Sequence, residues 1–241
     1  IPVKSLNMYI PKLLNENIKV AICEQLENPK DAKGLVKRDI VKTITAGTIT
    51  EVNLLEPTGN NFLASIINVN NVYGLAYTDI STGEFKVTKG SLEEILSELA
   101  RIKPAEILTP IKKQKIMPFQ IVPEEKIDLP DSITAIYPCT KMPLSSYDED
   151  NAIKRIKEVF NVVSLEAFGF EEFKPAFYAA GAMIDYILET QKGVLPKFDV
   201  IKPYSISEFV SIDASTRRNL ELIETSRDKS KYGSLYWAID K

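Results

Sequence analysis

The chain has 241 residues, which is long enough for one large domain or for two smaller domains that each bury a core. Its formal net charge is −3, so any contact with nucleic acid must come from a local basic patch. The sequence contains no histidine, which excludes Ser-His-Asp and Cys-His catalysis and every histidine-containing zinc site. No apolar run approaches the roughly 18 residues of a membrane span, so no membrane partner is expected.

The first part of the chain predicts a helix and then a strand. The apolar positions between Leu6 and Leu14 have helical spacing, although Pro11 removes one backbone hydrogen-bond donor. A short apolar run at residues 20–22 is typical of a buried strand, in which Cys23 would be a small core residue. This layout is α/β, and its sheet lacks further strands.

A basic segment follows, with a possible helix start at Asn28-Pro29 and a β-branched strand at residues 40–45. Its cations are Lys30, Lys33, Lys37, Arg38 and Lys42. They could contact DNA phosphates, and we take four of them (Lys33, Lys37, Arg38 and Lys42) as candidates for the DNA backbone. The alternative is a solvated surface on which Asp31 and Asp39 are the partners.

Residues 51–60 contain a proline and a glycine and predict a linker. Beyond them the pattern predicts three antiparallel strands at residues 62–69, 72–80 and 84–88. A helix that Ser91 caps and a strand at residues 105–108 come next. This order is that of a ribonuclease H-like fold with a mixed sheet, so the fold class is α/β (α+β).

Prolines punctuate residues 111–146, where short strands are predicted at residues 119–122 and 133–137. An amphipathic helix is predicted at residues 148–160. Its outer side carries Lys154, Arg155 and Lys157. A longer helix with an alanine-rich face is predicted at about residues 175–191.

The last segment predicts a helix from residue 215 to about 225, with Leu220 and Ile223 on its buried side. Two adjacent arginines, Arg217 and Arg218, point in different directions on such a helix. We expect one of them to pair with Asp213 or Glu221, and the other to face solvent or another domain.

Several strings of this sequence resemble the MutS family of bacterial mismatch-recognition proteins. The strings KVAICEQ, NPKDAKGLVKRDIV and GTIT are similar to the end of its mismatch-binding domain. YGLAYTDISTGEF and ELARIKPAEIL are similar to its connector domain, and AAGAMIDYILETQKG and IDASTRRNLEL to the opening of its core or lever domain. The chain departs from the family pattern at Val3-Lys4, where Tyr-His is common, and at Ala46, where proline is common.

The resemblance implies a fragment with four parts. These are residues 1–50, the end of the mismatch-binding domain; 51–60, a linker; 61–171, the ribonuclease H-like connector; and 172–241, the start of the helical core. The Phe-x-Glu mismatch motif, which the family carries near its N-terminus, is absent from residues 1–61, which contain no phenylalanine, and the phosphate loop of the ATPase domain is absent from the sequence. No catalytic, cofactor or metal site is therefore expected here, and ATP and Mg²⁺ are expected in the parent's missing ATPase domain.

The resemblance also implies partners. They are mismatched duplex DNA, a MutL-like protein and a second copy of the parent, in the cytoplasm. We take Lys154, Arg155 and Lys157 as candidates for the surface that meets the MutL-like protein.

The alternative function is a ribonuclease H-type two-metal nuclease that uses Asp79 at the end of a predicted strand. Such a nuclease needs several converging carboxylates, and the first helix could offer Glu93, Glu94 or Glu98. The following strand, however, ends Leu108-Thr109-Pro110, where such a nuclease carries another acid. Turn capping alone explains Asp79, because it opens the sequence Asp-Ile-Ser-Thr-Gly. A third possibility is a MutS relative that serves recombination rather than repair. The resemblance of residues 1–50 to the mismatch-binding domain argues against it, because those relatives lack that domain.

Overall fold

The computed structural model describes residues 5–27, 34–49, 60–112, 126–127, 129–198, 200–208, 212 and 214–240. Helix α1 (Leu6–Asn15) is followed by strands β1 (Val20–Gln25) and β2 (Arg38–Ile44), which pair antiparallel. Helix α1 continues through Pro11, and its apolar side chains cover one end of the strand pair. Ile10, Leu14 and Ile44 are buried together there.

The remaining elements surround a larger sheet, in the following order. They are β3 (Phe62–Val69), β4 (Val72–Asp79), β5 (Glu84–Gly90), α2 (Leu92–Ile102), β6 (Glu106–Lys112), β7 (Lys126–Ile127), α3 (Asp131–Thr134), β8 (Cys139–Met142), α4 (Glu149–Phe160), α5 (Lys174–Thr190), β9 (Ile201–Pro203), α6 (Ala214–Asn219) and α7 (Leu235–Ile239). The predicted succession of three antiparallel strands, a helix and a strand is confirmed, and so is the mixed α/β fold class.

The central sheet has the strand order β8-β6-β3-β4-β5-β9. Strands β3, β4 and β5 form the antiparallel meander, whereas β6 is parallel to β3 and β8 is parallel to β6. Strand β9 adds in parallel to β5, and β7 pairs with the last two residues of β6. After helical connections, the chain therefore adds a strand to each edge of the meander, β6 next to β3 and β9 next to β5.

Helices cover both faces of this sheet, as the alternation of its buried side chains requires. On one face, Leu63 and Ala76 belong to the core that α4 and α5 complete. On the other face, Ala64 and Leu75 pack with the apolar side of α2. Neighbouring residues of one strand thus serve two different cores, which is typical of a sheet buried between helical layers.

Helix α2 begins where the sequence predicts. Ser91 Oγ accepts a hydrogen bond from the backbone N–H of Glu94 at 3.3 Å, and Glu94 Oε2 accepts one from the Ser91 N–H at 2.7 Å. This reciprocal capping box satisfies two N–H groups that helix geometry leaves without partners. Lys103, with a φ of 48°, ends the helix in a left-handed conformation.

Three local predictions are wrong. Strand β1 is mostly exposed and Cys23 lies on the surface, because α1 covers only part of a two-stranded sheet. Residues 131–134 form a short helix rather than the start of a strand, since Pro130 ends the preceding segment in extended conformation. Helix α6 ends at Asn219, and Leu220 is 56% exposed and Ile223 39% exposed.

Helix α5 contributes directly to the core of the central sheet. Phe177, Ala180 and Ile184 are fully buried in the same cluster as the strand residues Leu63 and Val87. The resemblance places α5 in the helical core domain, which begins at residue 172, and the domain boundaries stay predictions. Within the described ranges, no helix is long and apolar enough to cross a membrane.

Candidate functional site

A buried carboxylate joins the N-terminal strands to the central sheet. Glu106 begins β6 and is 3% exposed. Its Oε2 accepts hydrogen bonds from Thr45 Oγ1 at 2.5 Å and from the Gly47 N–H at 3.0 Å. Its Oε1 accepts from Thr140 Oγ1 at 2.6 Å and from the Tyr186 hydroxyl at 2.7 Å. One side chain therefore connects the turn after β2 to β8 and α5.

The conformation of the turn after β2 places two of those donors, Thr45 Oγ1 and the Gly47 N–H, next to Glu106. The Thr45 N–H donates to Thr48 Oγ1 at 3.0 Å, and the Thr48 N–H donates back to the Thr45 carbonyl at 3.1 Å. Gly47 lies so close to the sheet that an added Cβ would be 2.7 Å from Leu63 Cδ1 and 3.0 Å from Glu106 Cβ. Only glycine brings the backbone N–H within reach of the carboxylate without a steric clash.

Lys19 supplies a counter-charge to Glu106 at the edge of the site. Lys19 Nζ lies 4.0 Å from Glu106 Oε1 and 5.1 Å from the centre of the Tyr186 ring. Burial, and then the negative charge of Glu106, raise the pKa of Tyr186. Tyr186 is therefore a neutral phenol that donates its proton in a hydrogen bond at physiological pH.

An open cleft of about 550 Å³ borders this junction. Residues 17–19 and 45–46 form one wall, residues 134–140 form the other, and Glu106 lies at the base. With four donors on its two oxygens, the carboxylate has little capacity left to act as a base or a metal ligand. Within the described ranges, no group of three or more His, Cys, Asp and Glu residues could hold a metal ion.

Asp79, the residue of the nuclease alternative, caps a turn. Its Oδ1 accepts from the Ser81 N–H at 2.9 Å and from Ser81 Oγ at 2.6 Å, and its Oδ2 accepts from the Asn61 N–H at 3.1 Å. The turn-capping interpretation is confirmed by these bonds. Of the helix acids that could have joined Asp79, Glu94 accepts from the Ser91 N–H and Glu98 accepts from Arg101 and Tyr204.

The structure places three of the four DNA-backbone candidates on or next to β2, and Lys33 lies outside the described residues. Lys37 and Arg38 are exposed, and Lys42 is half-buried. The Lys37 N–H donates to Glu27 Oε1 at 2.6 Å, and Asp39 lies opposite Glu24 in the strand pair. Acids therefore lie among the cations of this strand pair, and the DNA role stays a prediction.

The partner-surface candidates differ in their surroundings. Lys154 is exposed and Lys157 is half-buried on α4. Arg155 Nε donates to Asp185 Oδ1 of α5 at 2.5 Å, and its Nη1 lies 3.2 Å from Glu158 Oε2. Arg155 thus links two helices, and the partner role of the three residues stays a prediction.

Glu106 and its four donors were not predicted from the sequence. The available signal was an acid that directly precedes the apolar pair Ile107-Leu108 at the start of a predicted strand. An acid at such a position is buried by its strand and must find donors. Nothing in the sequence indicates that those donors come from residues 45, 47, 140 and 186.

Comparison with known proteins agrees with this architecture. The family model described as MutS domain II matches residues 61–199, which is more than half of the chain, and the model of MutS domain I matches residues 1–53. The chain belongs to the MutS family. The carboxylate of Glu106 and the turn that binds it come from the two different matched regions.

Curated relatives within the MutS family match over the whole length of the chain. The chain is 39% identical over 242 residues to the DNA mismatch repair protein MutS of Thermosynechococcus vestitus and 40% identical to that of Acaryochloris marina. It is 42% identical over 237 residues to that of Alkaliphilus metalliredigens, a match that covers 97% of this chain. The chain spans only 26–28% of the length of these relatives.

Proposed function

We propose that this chain is the mechanical connection between the mismatch-binding domain and the rest of a mismatch-recognition protein. The single observation that carries the proposal is the bonding of Glu106 by donors from both matched regions. Because a joint of this kind holds the two regions together, a change in the orientation of the bound DNA would move the rest of the protein as well. No residue of the chain performs chemistry in this function.

The physical reason for a stiff joint is the cost of separating its two sides. If Thr45 and Gly47 moved away, Glu106 would keep its charge in a buried position with half of its donors lost. Leaving a buried charged group partly unsatisfied costs about 1–3 kcal/mol or more. The close approach of Gly47 to Leu63 and Glu106 adds a packing contact at the same point, so hydrogen bonds and packing together hold the two sides.

A chimaera provides the test. This chain replaces the matching segment of the Alkaliphilus metalliredigens relative, and Glu106→Gln is introduced. Glutamine places an NH₂ group against the hydrogen-bond donors that surround Glu106, which should weaken the joint. We therefore expect weaker discrimination between mispaired and fully paired DNA in a binding titration. Glu166→Gln, on an exposed acid of the same segment, is the matched control and should bind as the parent chimaera does. Equal discrimination by all three proteins would contradict the proposal.

We also propose that Lys33, Lys37, Arg38 and Lys42 contribute phosphate contacts. The exposure of Lys37 and Arg38 supports this, while the neighbouring acids Glu24, Glu27 and Asp39 keep the contact weak. A Lys37→Ala, Arg38→Ala variant should bind DNA more weakly and with a salt slope reduced by about one to two. Binding with an unchanged slope would remove these residues from the DNA interface.

The surface for a MutL-like partner is proposed on α4. Because Arg155 is engaged by Asp185, the sharper test changes only its neighbours, Lys154→Glu and Lys157→Glu. The chimaera with both changes should capture a MutL-like protein less well. The same two substitutions to glutamine separate the effect of charge reversal from that of charge loss. Unchanged capture by the charge-reversed protein would exclude this face.

The remaining parts of the proposal concern the whole protein. It would bind mismatched duplex DNA as a homodimer in the cytoplasm, and ATP and Mg²⁺ would be held outside this chain. The packing of α5 on the sheet supports a connector that extends through α5, beyond residue 171.

A further inference from the structure

A second cavity, of about 250 Å³, lies between helices α2 and α6. Its charged lining residues are Lys103, Arg217, Arg218 and Glu224, and Tyr137 and Ile223 also line it. Three cations against one acid leave an excess of two positive charges around the space. Of these residues only Tyr137 also lines the cleft beside Glu106, and none of them bonds to Glu106.

Arg217 carries the decisive feature. Its Nε is buried and has no hydrogen-bond partner among the described residues. A guanidinium N–H that is removed from water without an acceptor is unfavourable, and nearly all buried polar groups in folded proteins have a partner. An acceptor inside the cavity would satisfy this donor.

The acids near Arg217 already have other partners. Glu98 lies close enough for Arg217 to act on it electrostatically, but its oxygens accept from Arg101 and from Tyr204. Glu224 is paired with Lys103 Nζ at 2.9 Å. Glu221, which the sequence analysis expected to pair with an arginine, accepts from the Ser226 N–H at 2.6 Å, and Asp213 lies outside the described residues.

We propose that this cavity binds a small oxyanion, namely phosphate as the free ion or as a phosphate monoester, through Arg217 and Arg218. With Lys103 neutralised by Glu224, the two guanidinium groups match the charge of about −1.5 to −2 that a phosphate monoester carries at pH 7. The planar donor fork of arginine also fits phosphate oxygens. Tyr137 adds a hydroxyl to the lining, and burial raises its pKa, so it is protonated.

The size of the cavity limits the ligand. Pockets for drug-sized molecules occupy about 300–1,000 Å³, so about 250 Å³ is too small to enclose a whole nucleotide. It is large enough for a phosphoryl group and several waters, because one water takes about 30 Å³ of liquid volume. A monoester would therefore place its phosphoryl group inside and its organic part outside.

The test is an isothermal titration of the 241-residue chain with inorganic phosphate, at constant ionic strength set with chloride. We expect saturable binding that weakens about tenfold or more in Arg217→Gln, because a charge-assisted hydrogen bond is lost. Arg227→Gln removes the same charge from an exposed position outside the cavity lining and should leave binding unchanged. An absence of saturable phosphate binding, or an equal loss in both variants, would overturn the proposal.

A loss of binding in Arg217→Gln could also result from misfolding, so Glu224→Gln provides a second test in which binding is expected to increase. Removal of this acid frees Lys103 and lowers the repulsion of an anion, so phosphate affinity should rise. Titrations with a nucleoside monophosphate and with acetate distinguish the sources. Stronger binding of the monoester than of free phosphate assigns the site to an esterified ligand. Stronger binding of free phosphate than of the monoester assigns it to the free ion. Stronger binding of acetate than of both phosphates contradicts a phosphate site.

Discussion

Gly74 on strand β4 lies against the backbone of Pro175 at the start of helix α5. A Cβ built on Gly74 would be 2.1 Å from the Pro175 carbonyl carbon and 2.2 Å from its oxygen. Contacts this short are not possible between real atoms, so the helix approaches the sheet only because residue 74 has no side chain. This approach lets α5 bury its alanine-rich side on the meander.

We therefore expect Gly74→Ala to destabilise the chain by about 1–3 kcal/mol, since the helix backbone must move to relieve the clash. Urea unfolding followed by circular dichroism measures the change. Gly90→Ala on β5 is the comparison, because there the close atoms belong to the Glu94 side chain and not to a helix backbone. It should weaken the α2 capping box, in which Glu94 Oε2 accepts from the Ser91 N–H, and should cost less than Gly74→Ala. Similar losses in the two variants would show that α5 can shift freely.

Tyr204 and Arg101 make the stability of the chain depend on pH through Glu98. Burial alone would raise the pKa of Glu98, but hydrogen bonds from Arg101 and Tyr204 hold it below the usual 4.5. A lowered carboxyl pKa stabilises the fold above the unfolded value and loses that effect as pH falls through the folded value. Stability should thus fall with acid more steeply in the wild type than in Glu98→Gln.

The measurement is the free energy of unfolding of both proteins at neutral pH and at several values below 4.5. Tyr204→Phe should cost about 1.5–3 kcal/mol at neutral pH, because it removes a hydrogen bond to a charged group, and less in acid. Glu93→Gln, on the exposed side of α2, should follow the wild type throughout. A constant difference between wild type and Glu98→Gln at every pH would contradict the assignment.

Arg155 should contribute to stability through Asp185 and hardly at all through Glu158. The Arg155–Asp185 contact is 2.5 Å long, and the Asp185 side chain is 19% exposed, whereas the Glu158 side chain is 51% exposed. A double-mutant cycle with Arg155→Ala and Asp185→Asn should give a coupling energy of about 1–3 kcal/mol. The parallel cycle with Glu158→Gln should give less than about 1 kcal/mol. Reversed magnitudes would mean that Arg155 faces solvent in solution.

Tyr186→Phe removes one of the four donors to Glu106 while the other three remain. We expect a loss of about 0.5–3 kcal/mol, since the acceptor is a charged carboxylate. We also expect a broader distance distribution between spin labels on Cys23 and on Lys154→Cys in a Cys139→Ser background. Tyr73→Phe is the control on β4. An unchanged distribution would mean that Tyr186 does not hold the angle at this junction.

Local patterns in the sequence predict the elements of the central sheet well. Ser91 and Glu94 specify the start of α2 by direct chemistry between neighbours, and the alternation in β3 and β4 reflects burial on both faces. Such signals arise within a few residues, so they can be read without knowledge of the tertiary structure.

The errors concern features that depend on distant parts of the chain. Cys23 occupies an apolar run that predicts burial, but the actual exposure depends on what covers the β1–β2 pair. Glu106 is bonded by residues 34 to 80 positions away, and no local pattern encodes those distances. Leu220 has helical spacing, yet the left-handed Glu221 ends the helical run at this point.

The parallel pairing of β5 with β9 has a consequence for synthesis of the protein. Phe85 of β5 pairs with Ile201 of β9, and the ribosome adds Ile201 116 residues after Phe85. That edge of the sheet is therefore incomplete until β9 has been synthesised. Until then β5 offers unpaired backbone groups to other nascent chains, and such edges promote aggregation. We therefore expect chains truncated before residue 200 to give insoluble protein, and a slow translation site after residue 203 to be harmless.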